Sequence, residues 1–379
     1  MYILLILLAI IGACSLIIFS VDILCSFKTW LSRVKIGRYD SIKQWITKSD
    51  IIARKWAKHM PTVKIKDNNR YILLDILKGE YKSSTIQSWQ IAGLMVGLDD
   101  ENDIHALINS LIDQESGNWI APPKEVDASL LAYEIIKKTS DINSIRPALD
   151  SMIAIIESRK EQQYIWYREH TKGNLYVDTV GFVAPFLVSY GKQLQEEKYI
   201  KLGLDQIKIY YEKAMLANIK IPCHAYDVTQ NIPLGVYGWG RGLGWFLIGV
   251  MESYLQLEPD ERPDWLTTIV IEMAKTIIML QHEDGGLGSM LAINSSYDSS
   301  ITAIAGYYLM QCNCIFPNQV YVDSSKKCMD KLMKSTRRNG ILDFCQGDTK
   351  GIGIYSSTYD LMPFAQGFAL ALAKMLVNT

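Results

Sequence analysis

The residues best suited to chemistry lie close together between positions 223 and 246, in the segment CHAYDVTQNIPLGVYGWGRGLGWF. Within it, Trp239, Arg241 and Trp245 alternate with glycines. Glycine lets a backbone approach a ligand closely, tryptophan offers a flat apolar face, and arginine offers a planar fork of donors for a carboxylate. These residue types suit an acidic sugar. The same residues also fit a glycine-rich turn before a buried helix, with Arg241 in a structural ion pair.

Three further side chains could contact such a ligand. His224 and Tyr226 come directly before the Trp/Arg stretch, and Ser300 lies in the run Ser-Ser-Ile-Thr-Ala at 299–303. A single histidine is more often a structural hydrogen-bonding residue than a ligand-binding one. The serine run would cap a helix and could also offer hydroxyl groups. We therefore retain His224, Tyr226 and Ser300 as candidate binding residues beside their structural interpretations.

Asp178 is the first candidate acid, because its neighbours in NLYVDTVGFVAPF are largely apolar. Burial among Tyr176 and Phe182 would raise the pKa of the carboxyl group, which suits a general acid near neutral pH. A helix N-terminus favours the charged form instead. The simplest structural role, a helix N-cap, would contribute about 1 kcal/mol to stability. The residues leave open which of these effects prevails.

Asp127, in PPKEVDASL, is the second candidate acid and has the same two interpretations. It begins a predicted helix after a loop that contains Trp119. Two acidic residues at the same end of two helices could flank one substrate, as sugar hydrolysis often requires.

The elements that must position these side chains are predicted to be helices. From about residue 40 onwards, apolar residues recur at helical spacing, and short loops rich in Gly, Asn and Asp separate about a dozen segments. No low-complexity linker divides them, which predicts one all-α domain. Helical hairpins can stack as an open solenoid or close into a ring. The last helix, around Phe364–Leu372, is too apolar to cap a solenoid, which favours a ring.

The N-terminal segment predicts a membrane anchor. Residues 3–25 form an almost continuous apolar run that is long enough to span a bilayer. Lys28, Arg33, Lys35 and Arg38 follow it, and no Lys or Arg precedes it, so the positive-inside rule places the body on the cytoplasmic side. A faint lipoprotein-like box before Cys14 is the minority, periplasmic alternative. The predicted division is an anchor at 1–27, a basic juxtamembrane linker at 28–39 and a helical body at 40–379.

Charge and cysteine spacing narrow the possible partners. The formal net charge is −1, which excludes a bulk electrostatic attraction to nucleic acid. Seven cysteines occur without the paired CxxC spacing of a zinc site. Charge and cysteine spacing therefore argue against a nucleic-acid partner and against a zinc site.

Taken in order, these motifs resemble the unsaturated uronyl hydrolase superfamily, glycoside hydrolase families 88 and 105. The resemblance covers about residues 40–379. It is carried by the helix start at Asp127, VDTVGFVAPF around Asp178, HAYD at His224, GWGRGLGW at 238–245, DSSITA near 298 and PFAQGFALA near the C-terminus. It implies an (α/α)6 barrel with its active site at one mouth, an oligosaccharide partner beside the membrane partner of the N-terminal segment, and no metal or organic cofactor.

The resemblance also implies a reaction and roles for the site residues. Such enzymes remove the unsaturated uronic acid that lyases leave at a chain end. The aspartate that corresponds to Asp178 protonates C4 of the C4=C5 double bond and guides water to C5. Trp239 and Trp245 would shape and stack on the sugar, while His224 and Arg241 would bind its hydroxyl or carboxylate groups. Asp127 would support the reaction from the opposite wall.

Two departures from the family pattern support an alternative. Leu243 stands where relatives commonly have a polar residue, and the N-terminal anchor is atypical of degradative enzymes. Both features fit a non-catalytic carbohydrate-binding protein of an exopolysaccharide or capsule synthesis system. A plain helical-repeat interaction protein is a third interpretation, which a chain without an acidic, aromatic-lined cavity would favour.

Overall fold

Helices form most of the chain in the computed structural model, which describes residues 1–63, 67, 70–80 and 87–379. The helices in this part are α1 Tyr2–Arg33, α2 Ile42–Lys58, α3 Ile72–Leu77, α4 Gln87–Val96, α5 Glu101–Asn109, α6 Ser129–Lys138, α7 Arg146–Arg159, α8 Val177–Leu194, α9 Glu197–Ala214, α10 Gly240–Leu255, α11 Asp264–Leu280, α12 Ser299–Ile315, α13 Gln319–Lys334 and α14 Pro363–Asn378. The short strands are β1 Lys160–Glu161, β2 Tyr164–Ile165, β3 Asn174–Tyr176, β4 Cys223–Asp227, β5 Ile232–Tyr237, β6 Cys345–Gln346 and β7 Tyr359–Asp360.

The helices form two concentric rings. Each of α4, α6, α8, α10, α12 and α14 packs against the next along the chain, and α14 packs back against α4. Helices α2, α5, α7, α9, α11 and α13 lie outside them. The inner helices are apolar on almost every side, as α8 shows by burying each residue from Val177 to Gly191. The predicted (α/α)6 barrel is thereby confirmed.

A pair of glycines allows the inner ring to close. A Cβ atom at Gly367 of α14 would overlap the carbonyl oxygen of Gly93 in α4. The two helix backbones are therefore in direct contact, which the apolar, small-residue composition of the last helix indicated.

The end of the barrel where α8 begins also carries a small antiparallel sheet, in the order β3-β4-β5, that the sequence did not predict. Its β4–β5 turn is stabilised locally. The Asp227 carboxylate accepts hydrogen bonds from the backbone N–H groups of Thr229 and Gln230, and Asn231 adopts the left-handed conformation. The sheet pairs Tyr176 with Ala225, and so holds the residues around His224 beside the start of α8.

Helix α1 is exposed on every side up to Cys14 and is long and apolar enough to cross a membrane, with a mean hydropathy of 2.9 over its best window. A signal sequence has the same features. The helix runs without interruption across the predicted boundary at residue 27 and ends at Arg33. There, the Arg33 guanidinium donates two hydrogen bonds of 2.8 Å to the buried Asp343 carboxylate. The C-terminal end of α1 is therefore fixed to the loop that precedes α14.

Candidate active site

Asp178 is the second residue of α8 and follows β3 directly. Burial raises the pKa of its carboxyl group to about 7; its own backbone N–H and the Arg241 and Arg168 charges oppose this shift, and Asp348 adds to it. The sequence left open whether burial or the helix N-terminus prevails, and here burial prevails. A carboxyl group with this pKa still holds its proton in a large fraction of molecules near neutral pH.

His224, on β4, faces Asp178. Its Nε2 atom lies 3.8 Å from Asp178 Oδ2, beyond hydrogen-bonding distance. Burial, and then the nearby Arg241 charge, lower the pKa of His224 to about 4, so the imidazole is neutral at physiological pH. Asp178 Oδ2 and His224 Nδ1 are buried without a hydrogen-bond partner in the described part of the chain. Buried polar atoms are normally paired, so these two unpaired atoms are candidates for contact with a bound ligand.

Trp239 and Arg241 lie beneath this pair at the start of α10. The Trp239 ring packs 4.8 Å from the His224 ring, and its indole N–H donates to the Gln346 side chain. The Arg241 guanidinium is 1% exposed and donates to the backbone carbonyls of Gln346 and Gly347. These carbonyls occupy much of the guanidinium that the sequence suggested for a ligand carboxylate.

A second charged group, Asp127 with Arg168, shares the same pocket. Arg168 Nη2 donates to Asp127 Oδ2 at 2.9 Å, and the guanidinium stacks 3.9 Å above the Tyr167 ring. Burial raises the pKa of Asp127, and Arg168 opposes that shift. Burial also raises the pKa of Tyr167 well above its usual value, and the charges of Arg168, Asp127, Asp178 and Asp348 all act on this phenol. The two predicted acids, Asp127 and Asp178, therefore both lie near Tyr167 in one site.

The loop between α13 and α14 contributes Asp348 to the same site. Asp348 Oδ1 lies 3.8 Å from Arg241 Nη2, and burial raises the pKa of Asp348 against the opposing charge of Arg241. The side chains of Asp178, Asp127, Arg168 and Asp348 are 12%, 14%, 21% and 25% exposed. The site is therefore acidic, flanked by aromatic rings and partly exposed to solvent.

The other three predicted site residues lie deeper or to one side. Trp245 is buried in an aromatic cluster inside the ring, with its centroid 4.6 Å from Phe182 and 4.8 Å from Phe364. Tyr226 pairs with Leu175 in the small sheet. Ser300 is fully buried and donates to Asp298 at 2.8 Å. Trp245 thus lies next to the side chains of α8, whereas Ser300 stabilises the start of α12.

Sequence reasoning missed several residues of the pocket: Tyr167, Arg168, Gln346, Asp348 and Tyr355. A signal was present for two of them, because Trp-Tyr-Arg at 166–168 combines aromatic rings with a guanidinium just before Asp178. Tyr355 and Asp348 come from a loop more than a hundred residues beyond His224 and carry no comparable pattern. Among the described residues, no group of three or more His, Cys, Asp or Glu side chains could hold a metal ion.

Comparisons with known proteins bear on the family and the fold of the chain. Residues 101–377 match Glycosyl Hydrolase Family 88, whereas the curated proteins gave no match. A possible family 105 member from Salmonella enterica serovar Paratyphi A has a TM-score of 0.71 at 17% identity, covering 89% of this chain and 94% of that one. The unsaturated glucuronyl hydrolase of Bacillus sp. GL1 has a TM-score of 0.61 at 15% identity, covering 88% and 96%.

The similarity to these solved structures shows a shared fold. The family match covers most of the barrel, including Asp127, Asp178, His224 and Arg241. The chain therefore belongs to glycosyl hydrolase family 88.

Proposed function

We propose that this glycosidase acts on oligosaccharides that end in an unsaturated uronic acid, and that Asp178 is its general acid. The observation that carries this proposal is the buried carboxyl group of Asp178, with a pKa near 7, facing neutral His224 in a solvent-accessible pocket. The naming of several structural relatives as unsaturated glucuronyl hydrolases supports the substrate class.

In the proposed reaction, Asp178 transfers its proton to C4 of the C4=C5 double bond. The π electrons form the new C4–H bond, and the positive charge that develops at C5 is shared with the ring oxygen. Water then adds to C5 and returns a proton to the Asp178 carboxylate. The resulting hemiketal opens by cleavage of the C5–O5 bond, which leaves a ketone at C5 and a hemiacetal at C1. The hemiacetal then collapses to an aldehyde as its bond to the glycosidic oxygen breaks, and the neighbouring sugar leaves as an alcohol. General acid–base catalysis of this kind contributes about 10²–10⁴ in rate.

The aromatic residues would hold the sugar ring. Tyr167, Tyr176 and Tyr355 are half-buried around Asp178 and His224, so each has ring surface available to a ligand. The rings of Tyr167 and Tyr176 pack 5.2 Å apart and form one side of the pocket. Trp239 and Trp245, both almost completely buried, would support these contacts from below.

Arg168 is the better placed cation for the uronate carboxylate. Its side chain is partly exposed, whereas Arg241 is buried and bound to backbone carbonyls. We propose that Arg241 holds the Asp348 loop and that Asp127 orients Arg168 from the opposite wall. Arginine suits this role because its planar fork matches a carboxylate.

We further propose that residues 1–27 anchor the protein in a membrane, that residues 28–39 lead from the anchor, and that the barrel at 40–379 lies in the cytoplasm. The basic residues after the apolar run support this orientation. Cys314 is exposed on the barrel. A membrane-impermeant thiol reagent should therefore leave Cys314 unlabelled in intact cells and label it after lysis; labelling in intact cells would place the barrel outside.

The non-catalytic alternative drew support from Leu243. That side chain is completely buried among the residues of the hydrophobic core. The test of activity is a panel of lyase-generated unsaturated disaccharides beside their saturated counterparts. Loss of the double-bond absorbance with at least one unsaturated member, and no cleavage of the saturated ones, is the expected result. Binding without turnover across a broad panel would favour the carbohydrate-binding alternative.

A further inference from the structure

A short helix beside α1 presents apolar side chains to the solvent. In α3, Leu74, Ile76 and Leu77 are exposed, Leu77 by 73%, whereas Ile72 is buried against the rest of the protein. Exposed apolar groups of this kind mark contact sites when they are contiguous. Leu74 and Leu77 are three positions apart and therefore share one face of α3, and Ile76 directly precedes Leu77.

The start of α3 is fixed to α1 by Asp22. The two oxygens of the Asp22 carboxylate accept hydrogen bonds from the backbone N–H groups of Tyr71 and Ile72, at 2.8 and 2.9 Å. The half-covered positions along this part of α1 are 15, 18, 21, 22 and 25, which lie on one side of the helix. The rest of the protein therefore covers one side of α1 from about Ser15 onwards.

The length of α1 places α3 at the surface of a bilayer. A hydrocarbon core of about 30 Å requires about 20 helical residues at ~1.5 Å per residue. The apolar run at residues 3–25 has about this length, and Asp22, to which α3 is attached, lies close to the end of the run that is followed by basic residues. Lys28 and Lys78 are exposed close by along the chain, where anionic headgroups would attract them.

We propose that α3 is a second membrane contact, which inserts Leu74, Ile76 and Leu77 into the interface of a phospholipid bilayer. The proposal rests on the membrane crossing by α1 proposed above. Its consequence is a fixed orientation of the barrel. Arg33 at the end of α1 binds Asp343, and the same loop carries Asp348 of the active site. The mouth of the barrel is therefore on the membrane-attached side, where membrane-tethered saccharide chains would reach it.

Depth-dependent fluorescence quenching tests the contact in the full-length protein. A fluorescent amino acid replaces Leu77, and the protein is reconstituted as one chain per phospholipid nanodisc. Lipids with a nitroxide at a shallow or a deep acyl position act as quenchers. Matched probes replace Ile10, inside the apolar run, and Val320, which is 52% exposed on α13. Since all three side chains are exposed, the substitutions leave the core intact.

The proposal predicts quenching at positions 10 and 77 and none at 320, with the shallow nitroxide more effective than the deep one at position 77. If the probe at position 10 is quenched and the probe at position 77 is no more quenched than the probe at position 320, the α3 contact is wrong and the α1 anchor stands. An unquenched probe at position 10 would overturn both proposals.

Discussion

The carboxyl group of Asp178 and the imidazole of His224 face each other with Oδ2 and Nε2 3.8 Å apart, and burial displaces their pKa values in opposite directions. The pKa of the acid rises to about 7, and that of the imidazole falls to about 4. Between these values the dominant form is a protonated acid beside a neutral base. This is the state that proton donation to a double bond requires.

The first prediction concerns the pH dependence of activity. Because Asp178 must carry its proton, kcat/KM should fall about tenfold per pH unit above pH ~7. His224 stays neutral down to about pH 4 and should cause no loss between pH 5 and 7. Steady-state kinetics across pH 4–9 would measure this profile. A rate that rises steadily from pH 6 to 9 would be inconsistent with Asp178 as the acid.

The second prediction concerns stability. The folded-state pKa of Asp178 lies above its unfolded value, so the native state binds the extra proton and loses stability as pH rises from about 4 to about 7. Asp178→Asn removes this loss. At pH 8 the free energy of unfolding of the variant should be about 2–4 kcal/mol higher than that of the wild type. Near pH 4 this difference should shrink towards zero. Urea denaturation at both pH values gives the comparison; equal stability at pH 8 would contradict it.

The third prediction concerns recognition of the uronate. Arg168→Lys keeps the positive charge beside Asp127 but loses the planar fork. KM for an unsaturated uronide should rise roughly tenfold, equivalent to about 1.4 kcal/mol, with a smaller change in kcat. The methyl ester of the same substrate is the control, because it offers no carboxylate. A variant that loses activity equally on acid and ester would show that Arg168 acts on the structure of the pocket instead.

The fourth prediction tests the closure of the ring. Gly367→Ala would force the backbones of α14 and α4 apart, because the new Cβ overlaps Gly93 O. The free energy of unfolding should fall by about 1–3 kcal/mol. Gly351→Ala is the matched control, since its Cβ would meet only the Ile354 side chain, at 3.9 Å, and should change stability by less than about 0.5 kcal/mol. Similar stability of the two variants would argue against a tight α4–α14 contact.

The ring of helices was predictable because helical periodicity is local and the apolar C-terminal helix needed a neighbour on each side. The burial of Asp178 was also foreseen from its apolar flanks, although the balance between burial and the helix N-terminus required the three-dimensional arrangement. The partners of Arg241 were not foreseeable, because Gln346 and Gly347 lie about a hundred residues further along. The sheet that carries His224 was missed because β3 and β4 pair across almost fifty residues and the strands show little alternation.

The same difference between local sequence patterns and long-range contacts explains why Arg168 was missed. It stands ten residues before Asp178, but its importance depends on the contact with Asp127, forty-one positions away. A motif shows which residue types are available, whereas the loops that meet at the barrel mouth decide which of them face the substrate.

The most direct test compares wild type with Asp178→Asn on lyase-generated unsaturated oligouronides, with turnover followed as loss of the double-bond absorbance and binding followed by calorimetry. Asp205→Asn, at an exposed ion pair on α9, is the matched control. We predict that Asp178→Asn still binds the substrate but loses at least a hundredfold in kcat, while Asp205→Asn behaves as wild type. Turnover by Asp178→Asn at the wild-type rate would contradict the assignment of Asp178 as the acid.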